Sequence, residues 1–485
     1  MSPTLLDINK DMAMSPLFLG ASAFLLLAYV IRTILYRPQK LDFPTVGSPN
    51  DANFAAALIE GSSKYPTTPF IIPTNPPTLI MPLGTHEEVR NLPEDKVSFS
   101  QEVTRMFHGK YTGIGNDSPA IIKTVKTDLT RHVASTVDAL QDEMRYALDK
   151  EFGTCEDWTK VVLYEKLLKV VALLSGRVFV GRPLSRSEAW VKSSIQFTMD
   201  CVMASESVDK YPAWVRYFAV SFLPEIRRVT QHKAEAADLL RPVIEGCIRR
   251  FKEGKGAESQ GGDEFDDEQG TFVSWIMKWT DEKNRENPFV LAENQLNLSF
   301  AAIHTTTMAT AHMLFDLASH PEFIEPLREE IEQVIAEDGY DVDGSGMKNI
   351  KKQSFPKFKK LDSFLKESQR FNPPALTSRN WTPPSTFSPF RYASLRTAPG
   401  NESKYQFVTT SKESMNFGHG NHACPGRFFA GTEIKVVMVE LLRRWDVRLI
   451  GDEQGVGGER PGNSVYDTTI SPNPFAELEF RRRRV

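Results

Sequence analysis

Cysteine is scarce in this chain. Only Cys155, Cys201, Cys247 and Cys424 occur, and no two stand in a C-x-x-C pair. That usage argues against a zinc site or a disulfide framework and suits a reducing compartment. An excess of one charge is missing too, since 58 Lys and Arg against 62 Asp and Glu leave a net charge of −4. No basic stripe interleaved with aromatics appears, so no nucleic-acid partner is expected. The basic run Arg481-Arg482-Arg483-Arg484 reads as a solvated tail. Internal repeats, a Gly-x-Gly-x-x-Gly turn and a flavin module are all lacking, so electrons for any redox chemistry must come from a separate protein.

Long hydrophobic runs are rare as well. Residues 12–31 form the exception, an uncharged stretch rich in Leu, Ala and Phe. At helical rise it spans about 30 Å of bilayer. Arg32, Arg37 and Lys40 follow it, while Asp7, Lys10 and Asp11 precede it. The positive-inside bias therefore puts the large C-terminal part in the cytosol. A cleaved signal peptide is the rival reading, but the basic n-region is weak. The expected organisation is an anchor over 1–36 and one large domain over 37–485.

With 41% hydrophobic residues the chain has material for a large core. Prolines at 66, 69, 73, 76, 77 and 82 punctuate short apolar runs that read as strands of a small sheet. Helical patterning starts near Ser118 and continues to Phe251, clearest over 158–180 and 234–251. The acidic, glycine-bearing stretch 252–270 reads as a flexible surface loop. A long helix is predicted over 291–319, ending before His320-Pro321 because proline disfavours helix in the residue preceding it. Another helix covers 321–337, and final strands lie near 468–480. In a further helix Glu367 and Arg370 are three apart and share one face. The fold class is mainly α with small β-sheets (α+β).

The most informative stretch is Phe417-Gly418-His419-Gly420-Asn421-His422-Ala423-Cys424-Pro425-Gly426, followed by an amphipathic run. A cysteine there sits at a helix N-terminus, where free amides favour a thiolate. Gly420 and Gly426 are expected to take positive φ and let a flat ligand approach, with Phe417 covering the sulfur.

This Phe-x-x-Gly-x-x-x-Cys-x-Gly spacing resembles the haem-binding loop of the cytochrome P450 family. The resemblance implies a cytochrome P450 fold with an N-terminal transmembrane helix, haem b with Cys424 as its axial iron ligand, Phe417 packed on the sulfur and His422 at a propionate. His422 stands where arginine is more usual. Ala301-Ala302-Ile303-His304-Thr305-Thr306-Thr307 resembles the oxygen-binding helix, which makes Thr305 the proton-delivering residue. His304 and Ala302 replace the common acid and glycine, so imidazole or water would carry protons. Glu367, Arg370 and, from Phe387-Ser388-Pro389-Phe390-Arg391-Tyr392, Arg391 resemble the family's buried charge network. Lys126, Arg131 and His132 lie near the family's propionate-binding cation but read as a solvated helix face.

One departure stands out. Only residues 375–386 separate Pro374 from Phe387, where the family has a segment several times longer that lines the substrate pocket. Twelve extended residues reach at most about 40 Å and cannot also form a strand hairpin. Arg379 in this link is a further propionate candidate. Either the pocket is open on one side, or a coding segment is missing.

The resemblance implies a haem-thiolate monooxygenase that hydroxylates or oxidises an apolar small molecule, drawing electrons from NADPH through NADPH–cytochrome P450 reductase. It implies a monomer in contact with membrane lipid at the endoplasmic reticulum. The Cys424 loop and Gln406-Phe407-Val408-Thr409-Thr410 are similar to filamentous-fungal members working on terpenoid or indole-terpenoid secondary metabolites. The alternatives are a haem protein crippled by the short link, and a membrane-anchored interaction protein without haem.

Overall fold

The structure is a computed structural model that describes residues 42–116, 119–253, 270–342, 346–378 and 386–484, with helical positions at Gly20, 22–24, 27 and 29–31. Most of the 12–31 stretch, most of the 252–270 loop, and Arg379 with the rest of 379–385 lie outside the described residues. Among the described residues no helix is long and apolar enough to cross a membrane.

The chain begins with α1 (Ala55–Lys64), β1 (Phe70–Ile72) and β2 (Thr78–Ile80). These two strands pair antiparallel, Phe70 opposite Ile80, and Ile71 also exchanges hydrogen bonds with Pro44 and Val46. No third strand from elsewhere extends this sheet among the described residues. Next come α2 (Val137–Phe152), β3 (Thr159–Val162), α3 (Leu163–Phe179), α4 (Glu188–Asp209) and α5 (Pro224–Lys252). The expected helix over 158–180 thus starts late. Thr159–Val162 pairs antiparallel with distant chain, Thr159 opposite Phe480 and Val162 opposite Glu477. β-branched residues offered a partner strand adopt the pleated form that local periodicity cannot reveal.

The centre of the molecule is α6 (Pro288–Ser319), packed against α3, α4 and α5. Asn287 accepts from the Phe289 amide and Pro288 occupies the first turn, so the start is well capped. The helix stops at His320, ahead of Pro321, as the proline rule predicts. After α7 (Ile324–Asp338) and the hairpin β4 (Tyr340–Val342) and β5 (Lys348–Ile350), α8 (Lys359–Phe371) begins against a borrowed cap. The Glu330 carboxylate of α7 accepts from the amides of Lys360 at 2.7 Å and Leu361 at 3.0 Å. Two orphan donors of the first turn are thereby satisfied from another helix.

There follow the short α9 (Arg391–Leu395), α10 (Arg427–Arg444), β6 (Trp445–Leu449), β7 (Asn463–Tyr466), β8 (Thr469–Pro472) and β9 (Glu477–Arg482). β9 lies between β3 and β6 in a three-stranded sheet. This corrects the reading of 481–484 as a solvated tail. Arg481 and Arg482 are strand residues opposite Asp446 and Trp445. Arg481 also reaches the Asp446 carboxylate at 3.0 Å and lies over the Trp158 ring at 4.6 Å.

Candidate functional site

The cysteine loop closes on itself. The Cys424 amide donates to the Phe417 carbonyl at 2.7 Å, and the Phe417 ring meets Phe407 edge-on at 5.5 Å. Beyond the loop, α10 starts with Gly426 at its N-cap. The Cys424 sulfur is packed by protein on most sides yet keeps an open face. Burial pushes the thiol up, while the amides of Gly426 and Arg427 and the Arg427 charge pull it down. In the protein alone burial outweighs these amides. A metal cation held by Cys424 would supply the opposing positive charge, because a coordinating thiol is deprotonated outright.

The glycines divide differently from the sequence reading. Gly420 has φ +63, and a Cβ there would stand 2.7 Å from the Arg90 carbonyl. Gly418, which the sequence reading passed over, has φ +66 and would meet the His422 carbonyl at 2.7 Å. Gly426 has a negative φ of −85, so positive φ is not its function. The nearest atom to a Cβ at Gly426 is Val125 Cγ1 at 3.9 Å, so this glycine leaves open space at the start of α10.

Three histidines surround the loop. His422 Nε2 donates to the Leu92 carbonyl at 3.0 Å, and its Nδ1 lies 3.6 Å from the Glu94 carboxylate. His419 accepts at Nε2 from Arg90 at 3.2 Å, so its Nδ1–H faces the Thr410 hydroxyl at 2.8 Å. Burial and the nearby His86 and Arg90 lower its pKa, consistent with this neutral tautomer. His86 stacks on it at 4.9 Å.

The second wall is the middle of α6. Ala301 and Thr305, one turn apart, are exposed, whereas Ile303, Thr306 and Thr307 are buried. An exposed pair at the centre of a helix that is otherwise core leaves room beside it for a ligand. The Thr305 hydroxyl donates to the Ala301 carbonyl at 2.7 Å. His304 points elsewhere, with Nε2 on the Ile195 carbonyl of α4 at 3.3 Å, and burial lowers its pKa. The two proton-delivery candidates are therefore not brought together. Lys126 and Arg131 are exposed, and His132 stacks on Trp275 at 5.0 Å.

Behind the loop, the charge network assembles on α8. Arg370 makes a bidentate pair with Glu367 at 2.8 and 2.7 Å, and Arg391 approaches the same carboxylate at 3.4 Å. Glu367 is completely buried and also accepts from the Ser388 amide at 2.8 Å. Sequence reasoning missed its neighbours. Asp362 accepts from the Phe407 amide at 2.8 Å, and Ser363 accepts from the amides of Tyr392 and Ala393, both at 3.0 Å. The amides they hold belong to the main chain, which no side-chain motif displays.

An open sulfur, a glycine that keeps space clear and a small-residue wall fit a flat iron porphyrin. The sequence profile of the cytochrome P450 family matches residues 119–380 and 377–459. The chain belongs to the cytochrome P450 family. It is similar to the cytochrome P450 monooxygenase ascG of Acremonium egyptiacum, 42% identical with 98% of each chain covered. It is 37% identical to the cytochrome P450 monooxygenase BOA7 of Botryotinia fuckeliana, covering 93% of this chain and 91% of that one. Cytochrome P450 monooxygenase 3 of Gibberella fujikuroi is 34% identical, with 96% and 94% covered. This P450 is accordingly a haem-thiolate monooxygenase. Its match to the family divides at 377–380, inside the short link, and the ascG alignment extends over 524 positions against 485 residues here.

Proposed function

We propose that this P450 hydroxylates or oxidises an apolar small molecule of fungal secondary metabolism, with a terpenoid or indole-terpenoid as the leading substrate class. The observation that carries the reading is the open face of the Cys424 sulfur within a loop closed onto Phe417. When bound, haem supplies oxygen activation, with the thiolate donating electron density to iron. Cys424 holds the iron, Phe417 packs beside the loop, and Gly420 and Gly426 shape the backbone. His422 and Arg379 serve the propionates. Thr305 moves a proton on the oxygen side, where its hydroxyl already lies at the exposed face of α6. Glu367, Arg370 and Arg391 hold the base of the site. Electrons come from NADPH through a separate reductase. Residues 12–31 anchor the protein as a single pass in the endoplasmic reticulum membrane, with the catalytic domain in the cytosol; the uncharged stretch and the basic residues after it support this.

The test has two parts. The reduced protein with carbon monoxide gives a thiolate-type band if Cys424 binds iron, and a colourless protein made with ample porphyrin sinks the reading. NADPH-dependent turnover with reductase on candidate terpenoids then tests the substrate class, and failure across that class with activity on another scaffold redirects it.

A further inference from the structure

Fully buried ammonium groups are uncommon, because burial penalises the charged form. Lys366, beside Glu367 in α8, is only 3% exposed. Its Nζ donates to the Gln406 carbonyl at 3.0 Å, the Thr409 carbonyl at 2.7 Å and the Ser414 hydroxyl at 3.0 Å. Three hydrogens meet three acceptors, all within residues 406–414. Glu367 serves a different stretch, holding residues 386–391 through Ser388 and Arg391.

The segment that Lys366 gathers leads into the cysteine loop and touches it at two places. Phe407, 1% exposed, meets the Phe417 ring, and the Thr410 hydroxyl pairs with His419 Nδ1. Phe417 in turn holds the Cys424 amide. Val408 fits against Gly431 of α10 so closely that a Cβ there would stand 2.5 Å from its Cγ1. The segment therefore has no slack on its α10 side, and on the α8 side it is held by the ammonium together with the Asp362 carboxylate on the Phe407 amide.

We infer that Lys366 is a positioning residue for the Cys424 sulfur, acting as a three-armed clip that sets residues 406–414 and, through Phe417 and His419, the cysteine loop. This rests on the haem-thiolate reading above. It adds to that reading a dependence on a charge that titrates. Burial brings the Lys366 ammonium down to about 8, opposed by Asp362. Asp362 is itself shared with Arg396 at 3.3 Å and Lys435 at 2.5 Å. The Tyr392 ring faces Nζ at 5.5 Å, and Glu413 beside Ser414 is exposed. Below about pH 8 all three arms are present; above it a neutral amine has two hydrogens for three acceptors.

The experiment uses the full haem-loaded chain. The wild type at neutral pH is measured first; absence of a thiolate-type carbon monoxide band there overturns the haem-thiolate reading itself. Lys366→Met is then compared with Val439→Ala, a core truncation in α10, matched for loss of thermal midpoint. The ratio of thiolate-ligated to otherwise ligated haem is expected to fall about tenfold in Lys366→Met, the worth of a charged hydrogen bond, and to hold in Val439→Ala. Equal ratios in the two variants overturn the proposal. Should Lys366→Met fail to fold, Ser414→Ala removes one arm and leaves both carbonyls in place. The wild-type thiolate signature should then decline as pH rises through 8, and the decline should be lost in Ser414→Ala, whose two remaining acceptors match the two hydrogens of a neutral amine. A signature independent of pH in the wild type, or an equal decline in both proteins, overturns it.

Discussion

Glu367 and Arg370 form a bidentate pair, one helical turn apart, in which the carboxylate is fully buried and the guanidinium reaches the surface. At the surface such a pair contributes a few tenths of a kcal/mol, but here one partner has no access to water. Glu367→Gln leaves Arg370 and Arg391 facing a neutral amide and is expected to cost about 3–5 kcal/mol. Chemical denaturation and haem content check this, and a variant that folds and loads normally sinks the network.

Cys424→Ala removes the open sulfur without altering the amide bond to Phe417, which is main chain. The loop should keep its shape while the thiolate-type carbon monoxide band disappears. Retention of an identical spectrum would remove Cys424 from the site.

Thr305→Ala is expected to leave haem binding intact, because the hydroxyl bonds only to its own helix. Product formed per oxygen consumed should drop about tenfold or more as proton supply fails. Simultaneous oxygen and product measurements decide the matter, and unchanged coupling excludes a role for Thr305.

The glycines of the loop give opposite expectations. Gly420→Ala forces a Cβ to 2.7 Å from the Arg90 carbonyl at φ +63, costing at least about 1–3 kcal/mol in backbone strain alone. Gly426→Ala meets nothing nearer than 3.9 Å, so the apo fold should be unaffected while haem uptake falls. Thermal midpoints of the apo proteins beside haem titrations separate the two effects.

Glu433, fully buried on α10, accepts from the Ser175 hydroxyl at 2.8 Å, and its other oxygen has no partner among the described residues. Burial raises its carboxyl from 4.5 to about 8. The folded state therefore holds a proton that the unfolded chain releases. Stability from this group is complete below 4.5 and lost as pH rises toward 8. Glu433→Gln should flatten the stability profile across that window, and an unchanged slope in denaturation midpoints would count against a neutral acid.

Local and short-range features were legible in the sequence. The Glu367–Arg370 spacing, the stop before Pro321 and the cysteine loop each depend on residues within ten positions of one another. What escaped depends on distant main chain. Thr159–Val162 became a strand because Glu477–Phe480 lies beside it, and the arginines after Phe480 joined the same sheet. Lys366 and Asp362 looked like ordinary polar positions because much of what they bind is main chain some forty residues away. Gly418 and Gly426 differ in φ sign, +66 against −85, a difference that residue type does not encode.

The abbreviated link has both its ends fastened to separate parts of the molecule. On one side the Leu376 amide binds the Thr468 carbonyl at 2.7 Å and Ala375 bridges Thr469; on the other, Ser388 is tied to Glu367. Neither fastening depends on what joins them, and doubling a loop's length adds only about 0.6 kcal/mol of closure entropy. The position therefore behaves as a cassette port. A longer segment grafted between the two fastenings is expected to leave both of them, and the metal-binding end, undisturbed.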